Sequence, residues 1–138
     1  MTVLPFGNYA VTRTLTGSQL YATLENGVSM ISADGTGTDG RFLQVSGFKF
    51  SFDSREPVGS RIKSVELLNG TPIAKDATTY TATVNDFMSN GGDGYTILAD
   101  GQGVSREVMY DVVLEYVKGT APLAPKIEGR ITNLATAR

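Results

Sequence analysis

The sequence predicts an α+β fold in which two main helices pack on a mixed β-sheet. A helical stripe follows a first alternating strand, strands with hairpin signals occupy the middle, and a second helical stripe precedes a short last strand. This order lacks the regular strand–helix–strand alternation of a parallel α/β protein. No internal repeat or linker is visible, so we expect residues 1–138 to form a single domain.

The first strand and the first helix are joined by a capping signal. Residues 9–15 alternate between apolar and polar side chains, which is typical of a strand with one buried face. Thr16 and Gln19 have the spacing of a capping box, in which two side chains accept the first unpaired backbone N–H groups. Gly27 interrupts the pattern that follows, so we expect the helix to bend or end there. Four apolar residues predict the buried stripe: Leu20, Leu24, Val28 and Ile31.

The middle of the chain predicts a polar loop and then a strand with a bulge. Residues 34–40 place oxygen-bearing side chains at alternate positions, but Val45 stands where a calcium loop needs a glutamate. We therefore expect a flexible polar loop without a metal ion. Residues 41–53 alternate with a change of register at Gly47, which predicts a bulge. Three aromatic side chains beyond the bulge are expected in the core: Phe48, Phe50 and Phe52.

Two further strands are expected in this region. Residues 61–68 alternate and end at Asn69-Gly70, a dipeptide typical of type I′ hairpin turns. Residues 78–84 are rich in β-branched side chains, which favour strands. We expect the cationic side chains of Arg55 and Arg61 on a solvated rim.

The segment from Asn85 to Tyr95 carries more functional groups than a turn requires. It contains three glycines, the carboxylate of Asp93 and the rings of Phe87 and Tyr95. Glycines allow a close approach of the backbone to another molecule, and aromatic faces with a carboxylate suit a planar ligand that bears hydroxyl groups. We therefore expect a ligand-binding loop, with Tyr95 as a structural residue.

The end of the sequence predicts the second helix and a last strand. Ser105 is the expected N-cap, and a broad apolar stripe continues to about Lys118. Gly119 and Pro122 are expected to end this helix. A short strand is expected over residues 126–132.

Composition excludes several classes of function. The sequence has no histidine and no cysteine, which excludes imidazole-based catalysis, zinc clusters and disulfides within it. The net charge of -2 provides no basic surface for a nucleic acid polymer. No apolar run approaches the ~20 residues of a membrane span, and the first residues lack the features of a signal peptide.

Ordered short segments of the chain resemble the C-terminal domain of the 5′-nucleotidase family, two-domain metallophosphatases that dephosphorylate nucleotides. Each segment alone is modest evidence, but their order and spacing match the family over nearly the whole chain. The segments are Leu4-Pro5-Phe6-Gly7-Asn8, Leu15-Thr16-Gly17, Leu24-Glu25, Phe42-Leu43-Gln44-Val45-Ser46-Gly47, Pro57-Val58-Gly59-Ser60-Arg61, Asn85-Asp86-Phe87 and Asn90-Gly91-Gly92-Asp93-Gly94-Tyr95.

The resemblance implies that this chain binds the nucleoside part of a substrate. Phe42 and Phe87 would stack on the two faces of the base, and Asp93 would accept hydrogen bonds from the ribose hydroxyls. Gln44 lies where some relatives place a polar side chain near the base. The same loop implies three more substrate contacts: Asn90, Gly91 and Gly92.

The resemblance also implies what accompanies such a domain. Two divalent metal ions are expected on an N-terminal metallophosphatase domain, and a glycine-rich segment ending in arginine precedes the matched residues in the family. These 138 residues contain neither, so we expect this chain alone to be inactive and the parent enzyme to be a hydrolase of nucleotide catabolism. The expected partners are a nucleoside or nucleotide and the metallophosphatase domain, with no nucleic acid polymer and no membrane. The family implies an extracytoplasmic location: periplasmic, secreted or cell-surface.

Other interpretations remain open at this stage. Phe42 and Phe87 are also explained as core residues, and Asp93 as the cap of a turn. For the whole chain, the alternative is a stand-alone ligand-binding or interaction module with the same fold and no enzymatic activity. A third interpretation keeps the enzyme but gives it a cyclic nucleotide, a sugar nucleotide or a sulfur compound as substrate.

Overall fold

A computed structural model describes residues 4–37 and 39–137, and its contacts divide the chain into two compact units. The first, which we name the loop unit, runs to Thr14 and resumes over Thr81–Ile127. The second, the helix unit, comprises Leu15–Tyr80 and the chain from Glu128 on. The expectations for the N-terminus and for the polar loop lie partly outside the described residues, at positions 1–3 and 38.

Strands and helices alternate irregularly along the described residues. The strands are β1 (Tyr9–Thr16), β2 (Phe48–Phe52), β3 (Ile62–Leu67), β4 (Thr79–Asn85), β5 (Val104–Val108) and β6 (Ile131–Asn133). The helices are α1 (Gly17–Gly27), α2 (Asp86–Ser89) and α3 (Met109–Thr120), with two 3₁₀ turns at Gly92–Gly94 and Thr96–Leu98. This mixture confirms the predicted α+β class, although the strands form two three-stranded sheets, ordered β4-β1-β5 and β3-β2-β6.

In the first sheet, β1 is the central strand and pairs antiparallel with β5. Val11 is the Cα partner of Ser105. The prediction that Ser105 caps the second helix is therefore wrong, because pairing with β1 holds residues 104–108 in the sheet and α3 begins only at Met109. No residue of α3 is buried.

The helix unit begins with the predicted capping box. The Thr16 hydroxyl accepts the N–H of Gln19 at 3.1 Å, and the Gln19 side chain accepts the N–H of Thr16 at 2.9 Å. The helix ends at Gly27, where the sequence predicted a bend or an end. The predicted stripe is buried in the core of this unit, which consists of Leu20, Leu24, Val28, Ile31, Phe50, Phe52, Val65 and Ile73.

The second sheet is mixed, because β2 pairs antiparallel with β3 and parallel with β6. Residues 41–47 do not join a strand, so β2 begins just after Gly47. The turn after β3 is a hairpin turn, as predicted, but not of type I′. Type I′ needs positive φ at both central residues, and at Asn69-Gly70 only Gly70 has it. Gly70 instead lies in a longer loop, in which the N–H of Leu67 donates to the carbonyl oxygen of Thr71 at 2.9 Å.

Arg61 is buried, so the prediction of a solvated rim is wrong for this residue. It is 8% exposed, and its Nη1 donates to the carbonyl oxygens of Val28 at 2.6 Å and Ile31 at 2.7 Å. Backbone carbonyls just past the end of a helix need such donors when they are buried. Arg55 is exposed, as predicted, and forms an ion pair with Asp53.

Candidate functional site

The loop from Asn85 to Tyr95 begins with two side-chain caps. The Asn85 side chain accepts the N–H of Met88 at 2.7 Å and starts α2. The Asp86 carboxylate accepts the side-chain amide of Asn8 at 2.7 Å and the N–H of Phe87 at 2.9 Å. These contacts fix the backbone from which Phe87 projects.

The Phe87 ring lies directly against the backbone of Gly92. A Cβ atom added to Gly92 would stand 2.4, 2.5 and 2.6 Å from three carbons of that ring, which is far inside van der Waals contact. Phe87 is nevertheless 50% exposed. One side of the ring is therefore supported by the loop while much of it faces solvent, which differs from the burial expected of a core residue.

Asp93 is exposed on an unusual turn. Its φ of 52° lies in the left-handed region, and it is the one non-glycine residue with positive φ among those the structure describes. This conformation costs roughly 1–2 kcal/mol for most L-residues and less for Asp or Asn. Gly91, with φ of 90°, lies two residues before Asp93, and Asn90 follows α2 as an exposed C-cap residue. A strained residue that persists in a loop is a candidate for function.

Arg13 ties down the base of this loop and was missed by the sequence reasoning. Its Nη1 donates to the Ser89 hydroxyl at 2.7 Å, and its Nη2 pairs with the carboxylate of Asp100. The pKa of Asp100 is lowered, first by the N–H of Gln102 and then by Arg13. The available signal was a charged residue in register with the buried positions of β1, two residues from Val11. Tyr95, 1% exposed, is structural as expected.

Phe42 and Gln44 lie in the helix unit, where they line an open pocket of about 320 Å³. Phe42 is half-buried and packs against the core, with its ring centroid 6.4 Å from that of Phe52 at an interplanar angle of 60°. The ring therefore has both a core side and a pocket side. Gln44 is exposed.

The polar wall of this pocket includes a second amide, that of Asn133. Its oxygen accepts the N–H groups of Ser54 at 3.3 Å and Ala135 at 3.1 Å, and its nitrogen donates to the Ser54 hydroxyl at 3.1 Å. Asn133 is thus occupied by contacts within the chain. Gln44, the other pocket amide, is exposed.

No part of the chain that the structure describes offers a metal site. Within residues 4–37 and 39–137, no three His, Cys, Asp or Glu side chains group closely enough to hold an ion. These residues therefore do not fit the two divalent metal ions that the family resemblance implies. In the same residues, no helix has the length and apolar character needed to cross a membrane.

The elements and the glycine-rich loop define an α+β class of domain, and the sequence comparison assigns this domain to a family. Residues 1–100 match the family described as 5′-nucleotidase, C-terminal domain. The chain belongs to that family, which confirms the resemblance found in the sequence.

Individual relatives agree with this family. Protein 5NUC of Lutzomyia longipalpis is 35% identical over 141 residues, covering 96% of this chain and 24% of that protein. The trifunctional nucleotide phosphoesterase protein YfkN of Bacillus subtilis is 33% identical over 138 residues, covering 95% of this chain and 9% of that protein. The crystal structure of a 5′-nucleotidase precursor from Thermus thermophilus superposes with a TM-score of 0.85 at 40% identity, covering 96% of this chain and 26% of that one. The chain thus spans about a quarter or less of these relatives.

Proposed function

We propose that this chain is the nucleoside-binding part of a 5′-nucleotidase-type phosphoester hydrolase. The rings of Phe42 and Phe87 stack on the base, and the Asp93 carboxylate accepts hydrogen bonds from the ribose hydroxyls. One observation carries the proposal: Phe87 is held half-exposed against Gly92, in the loop that presents an exposed carboxylate. Family membership supports the class of ligand, since relatives are named 5′-nucleotidase.

The remaining predicted contacts fit the same role. Gln44 offers an amide that can both donate to and accept from the polar edge of a base. Asn90, Gly91 and Gly92 form the turn between Phe87 and the Asp93 carboxylate, so they bring ligand and backbone close together. Stacking on an aromatic ring is worth ~1–3 kcal/mol per base and tolerates any base. The capped turn holds Phe87 in place before the ligand arrives, which lowers the entropic cost of binding.

We assign hydrolysis to a part of the protein outside this chain. The two divalent metal ions belong on an N-terminal metallophosphatase domain, because the residues described here do not fit them. The role of this chain is then positioning: a bound base fixes where the phosphate lies. An extracytoplasmic location is supported by relatives that include snake venom 5′-nucleotidases.

A titration of the isotope-labelled chain with adenosine tests the proposal. We expect amide shifts at residues 42–47 and 85–95. Phe87→Ala should weaken binding by about 5- to 150-fold, the equivalent of one stacking face. Phe6→Ala is the matched control, since Phe6 is a 75% exposed phenylalanine outside the loop, and it should bind as the unmodified chain does. Absence of shifts at millimolar adenosine in a folded sample would contradict the proposal.

Asp93→Asn tests the ribose contact separately. Asparagine tolerates the left-handed backbone as well as aspartate does, so folding should be retained. Replacing the charged acceptor by a neutral one should weaken adenosine binding about tenfold, since a charged hydrogen bond is worth ~1.5–3 kcal/mol and a neutral one ~0.5–1.5 kcal/mol. The compound 2′,3′-dideoxyadenosine, which lacks the 2′- and 3′-hydroxyls of the ribose, should bind the two forms equally. An equal loss for both ligands would show that Asp93 does not read the ribose.

A further inference from the structure

Arg13 joins the two residues that flank segment 90–99, which carries four of the proposed nucleoside contacts. Arg13 is 2% exposed, and its guanidinium bonds to Ser89, which ends α2, and to Asp100, which follows the second 3₁₀ turn. The segment between these two partners, residues 90–99, includes the glycines and the carboxylate of the proposed site. A single side chain on β1 therefore closes the base of that loop.

The structure is built closely around this contact. A Cβ atom at Gly103 would stand 2.5 Å from Val11 Cγ1, 2.8 Å from the Ser89 hydroxyl and 3.2 Å from Arg13 Nη1. Only glycine lets the backbone close over the guanidinium at this distance. The chain before β5 thus covers the same contact that holds the loop.

Stability alone explains this arginine poorly. Within the described residues, Arg13 Nε is a buried side-chain donor without a hydrogen-bond partner, and an unpaired buried donor costs free energy. Its neighbours in register on β1, Val11 and Leu15, are buried and apolar. A buried charged network is often no more stable than apolar packing of similar volume.

We propose that Arg13 is a positioning residue for nucleoside binding. By holding Ser89 and Asp100 together, it fixes the loop in the form that presents Phe87 and Asp93. Arginine suits this role because its planar fork reaches two acceptors at once, whereas lysine has a single nitrogen. The inference rests on the proposed function, since it concerns the same ligand.

The test compares Arg13→Met with the unmodified 138-residue chain, using adenosine as the probe. Methionine fills the buried space without the two hydrogen bonds. We expect amide exchange to quicken across residues 90–99 while the amides of α1 keep their rates, and the Kd for adenosine to rise about tenfold or more. Arg106→Met is the matched control, because Arg106 is exposed and, among the residues that the structure describes, its side chain bonds to the Thr12 hydroxyl alone.

Combination with Phe87→Ala shows whether Arg13 acts through the loop. In the Phe87→Ala background, Arg13→Met should raise the Kd by a clearly smaller factor, because part of what it positions is already missing. An equal factor in both backgrounds would overturn the inference, and so would a folded Arg13→Met chain that binds adenosine normally. If Arg13→Met does not fold, Asp100→Asn replaces it, since Asp100 is partly exposed, and the same outcomes apply. If the unmodified chain binds no adenosine, the proposed function fails and this inference fails with it.

Discussion

Replacing Gly92 by alanine is expected to impair nucleoside binding more than folding. The new Cβ would lie 2.4–2.6 Å from three carbons of the Phe87 ring, so one of the two groups must move. Gly92 has no left-handed φ, and alanine therefore fits its backbone. Because Phe87 is half exposed, its ring is free to turn toward solvent, and the side chain rather than the backbone accommodates the methyl group.

The substitution should change the free energy of adenosine binding more than the free energy of unfolding. In Gly92→Ala, the half-exposed Phe87 ring leaves its preferred rotamer and loses part of its contact with the loop. The free energy of unfolding should therefore fall by about 1 kcal/mol. Loss of the stacking face removes ~1–3 kcal/mol from binding, which raises the Kd by about 5- to 150-fold. Gly92→Ala should therefore remain folded but fail to bind adenosine at concentrations that the unmodified chain binds.

The assay pairs urea unfolding with an adenosine titration followed by amide shifts. Gly7→Ala is the matched control, because a Cβ at Gly7 meets no atom within 4 Å and its φ is not left-handed. The reasoning is refuted if the Phe87 ring signals show that the ring has moved while adenosine still binds normally. A loss of stability well beyond about 3 kcal/mol would also refute it, because the ring would then be locked in place.

Two further substitutions test polar side-chain contacts within the helix unit. Arg61→Ala should lower the free energy of unfolding by about 3 kcal/mol, because the carbonyls of Val28 and Ile31 lose a charged donor; an unchanged urea midpoint would contradict this. Hydrogen bonds from the side chain and then the N–H of Arg55 lower the pKa of Asp53 from 3.8 to about 2. A depressed carboxyl pKa stabilises the fold above the unfolded pKa and loses this effect as the pH falls through the folded value. Asp53→Asn should therefore be less stable than the unmodified chain at pH ~7 and equally stable below pH ~2, as measured by urea unfolding across that range.

Local signals in the sequence predicted local structure well. The hydroxyl of Thr16 and the amide of Gln19 are only one helical turn apart, so the start of α1 could be read directly, and its end at Gly27 follows from a single residue type. Phe87 and Gly92 are also close in sequence, but their contact was not predicted and is seen only in the structure. The aromatic alternation of β2 likewise predicted the buried rings of Phe50 and Phe52.

Contacts between distant parts of the chain could not be read in this way. Arg13 bonds to partners 76 and 87 residues away, and Arg61 to carbonyls 33 and 30 residues away, so neither looked buried in the sequence. Ser105 has the residue type of a helix cap, but pairing with β1 decides its structure. Tertiary contacts override local preference at each of these positions. The division of the strands into two sheets also depends on which strands pair. The alternation of apolar and polar side chains along a strand does not predict its pairing partner.

The central claim is that the rings of Phe42 and Phe87 contact the nucleoside base, and intermolecular NOEs test it most directly. The chain would carry isotope label in its phenylalanines only, with Phe42→Leu and Phe87→Leu to assign the two rings. With adenosine bound, we expect NOEs from the base protons H2 and H8 to both rings and none to Phe6. Saturable binding with base NOEs to neither Phe42 nor Phe87 would contradict the account.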